Sequence, residues 1–217
     1  DSNSWPRPWQ GRALTTELYP HSVTRNNYSQ TATVLQVENS NGLSYNRHMF
    51  KNIIQKKLEK YVRQYFEKHP EVKLVAVSGS VGKTMTKTMI ATILSQSFRV
   101  RMEPTNHNSS LSAPLAILGV DFPDNIRSIS AWLKVFRAAK KRIKEPTDVD
   151  VIIQELGTDR IGEIPHFGTY LRPTIGVVTA VAPEHMEYFH DIETVAREEL
   201  SLANYSELAL INRDDID

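Results

Sequence analysis

The stretch 75-VAVSGSVGKTMTKTMIATIL-94 decides the fold. A short apolar run, ended by Ser78-Gly79, reads as a buried strand. The residues after it follow a helical pattern. Between them lies Ser-Gly-Ser-Val-Gly-Lys-Thr, at residues 78–84. Gly79 and Gly82 permit backbone angles that side chains forbid and let amides approach an anion. The helix that follows offers unpaired N–H groups and the positive end of its dipole. Lys83 supplies a point charge, and the Thr84 hydroxyl is placed to bind Mg2+. Gly79, Ser80, Val81, Gly82, Lys83 and Thr84 therefore read as a phosphate-binding loop. The competing reading is a structural turn between strand and helix. The usual pattern, G-x-x-x-x-G-K-[ST], would put its first glycine at Val77, whereas this chain carries the shorter G-x-x-G-K-T.

Strands and helices alternate downstream of this stretch. Residues 73–78 and 98–102 read as strands, with a helix over 83–97 between them. A loop, EPTNHNSS, leads to a short helix over 111–118, and a long amphipathic helix follows over 128–143. Residues 150–156 and 174–181 are apolar strands, 192–205 is helical, and 207–212 is a fifth strand. This order predicts an α/β fold with a mostly parallel sheet flanked by helices, of P-loop type given the glycine loop at its first strand end. Phe50, Ile53, Ile54, Leu58, Tyr61, Val62, Tyr65 and Phe66 recur at spacings of three and four, which predicts a helix over 48–68. His69-Pro70 stops it. Residues 1–47 are polar and broken by Pro6, Pro8 and Pro20, and read as an irregular arm or partial subdomain. Within it, 31–37 is strand-like, and Trp5 and Trp9 are expected to dock.

Composition excludes several classes. The 217 residues carry 26 Lys+Arg against 25 Asp+Glu, a net charge of +1, so no global field attracts nucleic acid or an anionic membrane. The basic run AAKKRIK ends an amphipathic helix, where cations suit the dipole. There are no cysteines, which removes disulfides, thiolate metal sites and cysteine nucleophiles. No apolar run approaches the roughly 20 residues of a membrane span. The first methionine is Met49, so a processed product, a fragment or an incomplete record is expected.

Further motifs follow the loop in order. They are TNHNSSLSAPLAILG (105–119), VIIQELGTDRIGEI (151–164), RPTIGVVTAVAPEHMEYF (172–189) and INRDD (211–215). Together with the glycine loop they resemble the central ATPase domain of the Mur ligase family, which uses the shorter loop. Within the family they are most similar to the branch that adds D-alanyl-D-alanine to a UDP-muramoyl tripeptide. The resemblance covers residues 73–215 and makes 71–217 a Mur-ligase-like ATP-binding domain, entered through the helix at 48–70.

The resemblance implies ATP and Mg2+ as cofactors, with a UDP-linked muramoyl peptide and an amino acid or dipeptide as substrates. It also implies a cytoplasmic site of action. Such enzymes transfer the γ-phosphate of ATP to a carboxylate, and an amine attacks the acyl phosphate. By resemblance Lys83 clamps phosphates, Thr84 and Glu155 hold a first Mg2+, and His185 helps hold a second. Asn106 and Asn108 either contact substrate or phosphate, or stabilise their loop by hydrogen bonds.

The family usually carries a carbamylated lysine fourteen residues after the histidine, where this chain has Glu199. Three readings of Glu199 stand open. It supplies the charge to the metal directly or through water, the second metal site has decayed, or it is a solvated helix charge. Residues 1–70 do not resemble the family's UDP-gripping domain. The chain is expected to end inside the central domain, before the adenine-binding segment and the closing domain, and not to complete a ligation alone. Two alternatives remain: a related ligase of the folylpolyglutamate synthase kind, and a non-catalytic nucleotide-binding module.

Overall fold

Side-chain alternation along the first strand builds the core. In the computed structural model, which describes residues 43–212 apart from Asn106, β1 spans Lys73–Ser78 and is buried at all but its first residue. Leu74 and Ala76 point to one face of the sheet, Val75 and Val77 to the other. β3 (Val151–Glu155) pairs with β1 on one side, with Val77 opposite Glu155. β4 (Ile175–Val178) pairs on the other, with Ser78 opposite Val178. β2 (Val100–Met102) lies outside β3, and β5 (Leu208–Ile211) outside β4. All pairs are parallel, in the order β2-β3-β1-β4-β5. The expected parallel α/β architecture is the one observed.

The two faces are covered differently. On the first, Leu74, Ala76 and Ile152 join Tyr61, Val62 and Tyr65 of α1 (Leu43–Lys68) in one cluster. Ala113, Ile117 and Leu118 of α3 (Ser112–Leu118), and Ile164 and Phe167 of α5 (Glu163–Phe167), complete it. A second cluster ties Ile54 and Leu58 to Trp132 and Val135 of α4 (Ile129–Lys144). On the other face, Val75, Val77, Val151 and Ile153 pack against Ala91 of α2 (Lys83–Leu94).

Caps set two of the helix starts. Ser128 Oγ accepts from the Ala131 amide at the head of α4. Asp191 Oδ1 accepts from the Thr194 amide, at 2.7 Å, at the head of α7 (Ile192–Leu200).

Element ends shift from the sequence expectations. α1 begins at Leu43 rather than 48, α2 stops at Leu94 rather than 97, and β2 starts at Val100 rather than 98. The helical stretch expected over 192–205 is α7 followed by a 3-10 turn, Ser201–Tyr205. Two short helices were not expected, α5 and α6 (Met186–Phe189). Helices of four or five residues have almost no intrinsic stability and exist through tertiary contacts. The expected arm at 1–47, the strand-like 31–37, Trp5, Trp9, Asn106 and the Asp pair at 214–215 lie outside the described residues. No described helix is long and apolar enough to cross a membrane.

Candidate functional site

The carboxyl ends of β1, β3 and β4 converge, and the glycine loop leaves the first of them. Gly79 has φ 122°, and a Cβ there would lie 2.3 Å from Thr179 Oγ1 and 3.0 Å from Ala180 O. Backbone angle and close approach to β4 both require glycine. The Ser80 amide donates to Ala180 O at 2.7 Å, and Thr179 Oγ1 donates to Val81 O at 2.6 Å. Gly82, left-handed at φ 85°, starts α2 with no capping side chain. The first-turn amides of α2 therefore have neither an intrahelical acceptor nor a cap. Lys83 folds back over the loop. Its Nζ donates to Gly79 O, and to Ser80 O at 3.3 Å, and lies 3.8 Å from Glu184 Oε2.

Glu155 ends β3, and only 3% of its surface is exposed. Both of its carboxylate oxygens are held. Thr84 Oγ1 donates to Oε2 at 3.0 Å, and Asn108 Nδ2 donates to Oε1 at 3.1 Å. The Lys87 ammonium is 3.1 Å from Oε2 and also donates to Thr105 O at 3.2 Å. Gln154 Nε2 donates to His107 O at 2.8 Å, and the Gly157 amide to Asn108 O at 3.0 Å. Thr105, His107 and Asn108 are thus tied to Lys87 and to the end of β3. A Cβ on Gly157 would strike the Asn108 side chain at 2.8 Å.

Glu199, on the last turn of α7, is fully buried, which removes the solvated-charge reading. Its Oε2 accepts from the Ser78 hydroxyl, and from the Gly79 amide at 2.8 Å. Its Oε1 has no partner. Burial pushes this carboxyl up to about 7. The Ser78 and Gly79 hydrogen bonds and the Lys83 charge oppose the rise, and the neighbouring Glu184 carboxyl adds to it. Glu198, beside it, is buried as well. It accepts from the Gly162 amide at 2.8 Å and the Ile164 amide at 2.7 Å, which caps α5. The two adjacent acids of α7 each serve a different backbone segment.

His185 lies at the head of α6 with φ 47° and ψ 39°, and His190 at its end has φ 67°. Left-handed angles in residues other than glycine store strain and gather at functional sites. The His185 ring is 42% exposed, and its Nε2 is 3.4 Å from Asp159 Oδ1.

Residues 77–216 match the family model of the Mur ligase middle domain. The chain belongs to this family. The UDP-N-acetylmuramoyl-tripeptide–D-alanyl-D-alanine ligase of Rickettsia prowazekii (strain Madrid E) is 27% identical over 151 residues, 68% of this chain and 28% of that protein. The Escherichia coli (strain K12) ligase of the same name is 29% identical over 148 residues, 67% of this chain and 27% of that protein. The chain therefore spans under a third of the length of these curated relatives. In fold it is similar to MurF from Acinetobacter baumannii, with a TM-score of 0.57 and 17% identity, over 75% of this chain and 30% of that one. It is also similar to MurF ligase from Thermotoga maritima in complex with ADP, with a TM-score of 0.54 and 21% identity, over 74% and 32% of the two chains.

In this Mur ligase middle domain the surroundings of the loop suit a polar ligand. Ser80 Oγ, Glu184 Oε1 and Glu199 Oε1 are buried without a hydrogen-bond partner. Native interiors seldom leave such groups unsatisfied. Thr84 and Glu155 offer adjacent oxygen donors, 3.0 Å apart, of the type Mg2+ prefers. The second expected set is not gathered, because His185 meets Asp159 while Glu199 meets Ser78 and Gly79. Among the described residues no three His, Asp or Glu side chains surround a common point.

Sequence reasoning missed Lys87, Glu184 and Glu198. For Lys87 a signal existed. It lies four residues after Lys83 and four before Ala91, the spacing of one helix face, and that face turns toward the sheet. Nothing local marks Glu184 or Glu198.

Proposed function

We propose that this chain is the nucleotide-handling part of an ATP-dependent amide-forming ligase of peptidoglycan precursor synthesis. Its proposed substrates are a UDP-linked muramoyl tripeptide and D-alanyl-D-alanine, the pair in the printed names of its relatives. A cytoplasmic site of action follows from the UDP-linked substrate. The observation that carries the reading is the loop at 79–84. Uncapped amides, Lys83 and a Thr84 hydroxyl 3.0 Å from a buried carboxylate meet at neighbouring strand ends.

Each residue has a task on this reading. The amides of Gly82, Lys83 and Thr84 receive phosphate oxygens at the positive end of α2. Lys83, now on loop carbonyls and near Glu184, transfers its ammonium to the stronger phosphate acceptors. Thr84 and Glu155 hold Mg2+, which when bound neutralises phosphate charge and lets ATP activate a substrate carboxylate. Asn108 fixes the orientation of Glu155. His185, on the rim with a strained backbone, is the candidate second-metal or substrate contact. The chain's main contributions are position and preorganised charge.

The test is calorimetric titration of ADP with Mg2+ into the intact protein. Lys83→Ala is expected to weaken binding at least about tenfold, the loss of one charge-assisted contact. Unchanged affinity in a folded variant overturns the reading. Phosphate release on adding both substrates with ATP tests ligation itself. A second reading, a nucleotide-binding module without ligation, is favoured by the attachment of Glu199 to β1 rather than to a metal set. ADP binding with no phosphate release, in a protein extended past Asp217 through the adenine-binding and closing segments, would select it.

A further inference from the structure

We propose that Lys87 is a positioning residue that ties Glu155 to Thr105 of the loop before α3, and so sets how strongly Mg2+ tightens nucleotide binding. The inference rests on the nucleotide-binding reading above and deepens it. Its first support is burial. The Lys87 and Glu155 side chains are 2% and 3% exposed, on a helix whose Met85, Met89 and Ile93 all face outward. A lysine gains nothing by such burial as packing, since an apolar side chain of like volume would fill the space without desolvating a charge. The charge must be there for its partners.

Those partners come from two other elements. Glu155 Oε2, at 3.1 Å, belongs to β3, and Thr105 O, at 3.2 Å, belongs to the loop before α3. Lys87 itself belongs to α2, three residues beyond Thr84, whose hydroxyl reaches the same Oε2. One face of α2 therefore presents two donors to one oxygen, while Asn108 takes the other. The carboxylate has no free rotation left. Glu155 reaches any cation at Thr84 already oriented, and the ammonium also anchors the loop that carries Asn108. Groups one step behind a metal ligand commonly control its affinity in this way.

The experiment measures ADP affinity of the intact protein by calorimetry, with Mg2+ and with EDTA, and reads the ratio as the Mg2+ gain. Lys87→Met should cut the gain at least about tenfold, in the range typical of residues behind a metal ligand. Metal-free affinity should stay within about twofold, because the loop amides and Lys83 are untouched. Lys87→Gln, which keeps a donor, should recover part of the gain and serves if Lys87→Met does not fold. In a Glu155→Gln background, which removes the carboxylate that Lys87 holds, Lys87→Met should change the gain no further. An unchanged gain in Lys87→Met, a parallel fall with and without Mg2+, or an additive effect in that background each overturns the proposal. If the unaltered protein binds no ADP under either condition, the nucleotide reading fails first and takes this one with it.

Discussion

Glu155 and Glu199 are both buried carboxylates at neighbouring strand ends, yet their surroundings differ in kind. Glu155 has a buried ammonium at 3.1 Å and donors on both oxygens. Glu199 has a hydroxyl and one amide on a single oxygen, and a second carboxyl beside it. The first site is neutral as a pair and fixed in geometry. The second approaches neutrality by taking up a proton, since burial lifts its carboxyl to about 7. Two acids in one crevice are thus stabilised in opposite ways, one by a cation and one by a proton.

The largest effect should come from breaking the first arrangement. Glu155→Ala leaves the Lys87 ammonium buried without its counter-charge, which typically costs about 3–5 kcal/mol. Urea unfolding at pH 7 measures it, and a loss no greater than that of Glu199→Gln would erase the contrast.

Glu199 sharpens the comparison through pH. Its folded carboxyl is raised from 4.5 to about 7, so the folded state holds the proton more tightly than the unfolded chain. Stability from this group is therefore fully present at acid pH and declines as pH rises through about 7. The total is of the order of 3 kcal/mol by linkage. Glu199→Gln should flatten that part of the unfolding free energy against pH, while substitutions at Glu155 should leave it in place.

The smallest effect concerns the acid next door. Glu198 caps α5 through the Gly162 and Ile164 amides, and Glu198→Ala should cost about 1–2 kcal/mol. The loss should appear with little change in ADP affinity by calorimetry. A fall in affinity as large as that from Lys83→Ala would mean that α7 supports the loop as one unit rather than residue by residue.

The same contrast explains what the sequence made legible. The sheet was readable because β1, β3 and β4 are short apolar runs with turn chemistry at their ends, and because α1 and α4 carry apolar residues at helical spacing. Gly79 to Thr84 was readable because its chemistry is contiguous. Glu155 was readable because a carboxylate closing a buried strand needs a reason. Glu199 was visible only as a position in a resemblance, and its environment was not. In the string Arg197-Glu198-Glu199 three charges in a row look like a solvated face. Both acids are buried because segments 36 and 120 residues away in sequence, at Gly162 and Gly79, bring amides to them. The short helices α5 and α6 escaped for the same reason. Lys87 lay between these cases, marked by helical spacing but lacking a visible partner until β3 was placed beside α2.

The contacts of Gly79, Ser80 and Val81 carry a consequence for how the molecule is made. Their partners are Glu199, Ala180 and Thr179, about a hundred residues downstream in the chain. A ribosome delivers the Lys83 segment long before it delivers those partners. The folded shape of the loop therefore belongs to a late stage of synthesis, and a nascent chain halted before β4 would carry the motif in its letters without that shape.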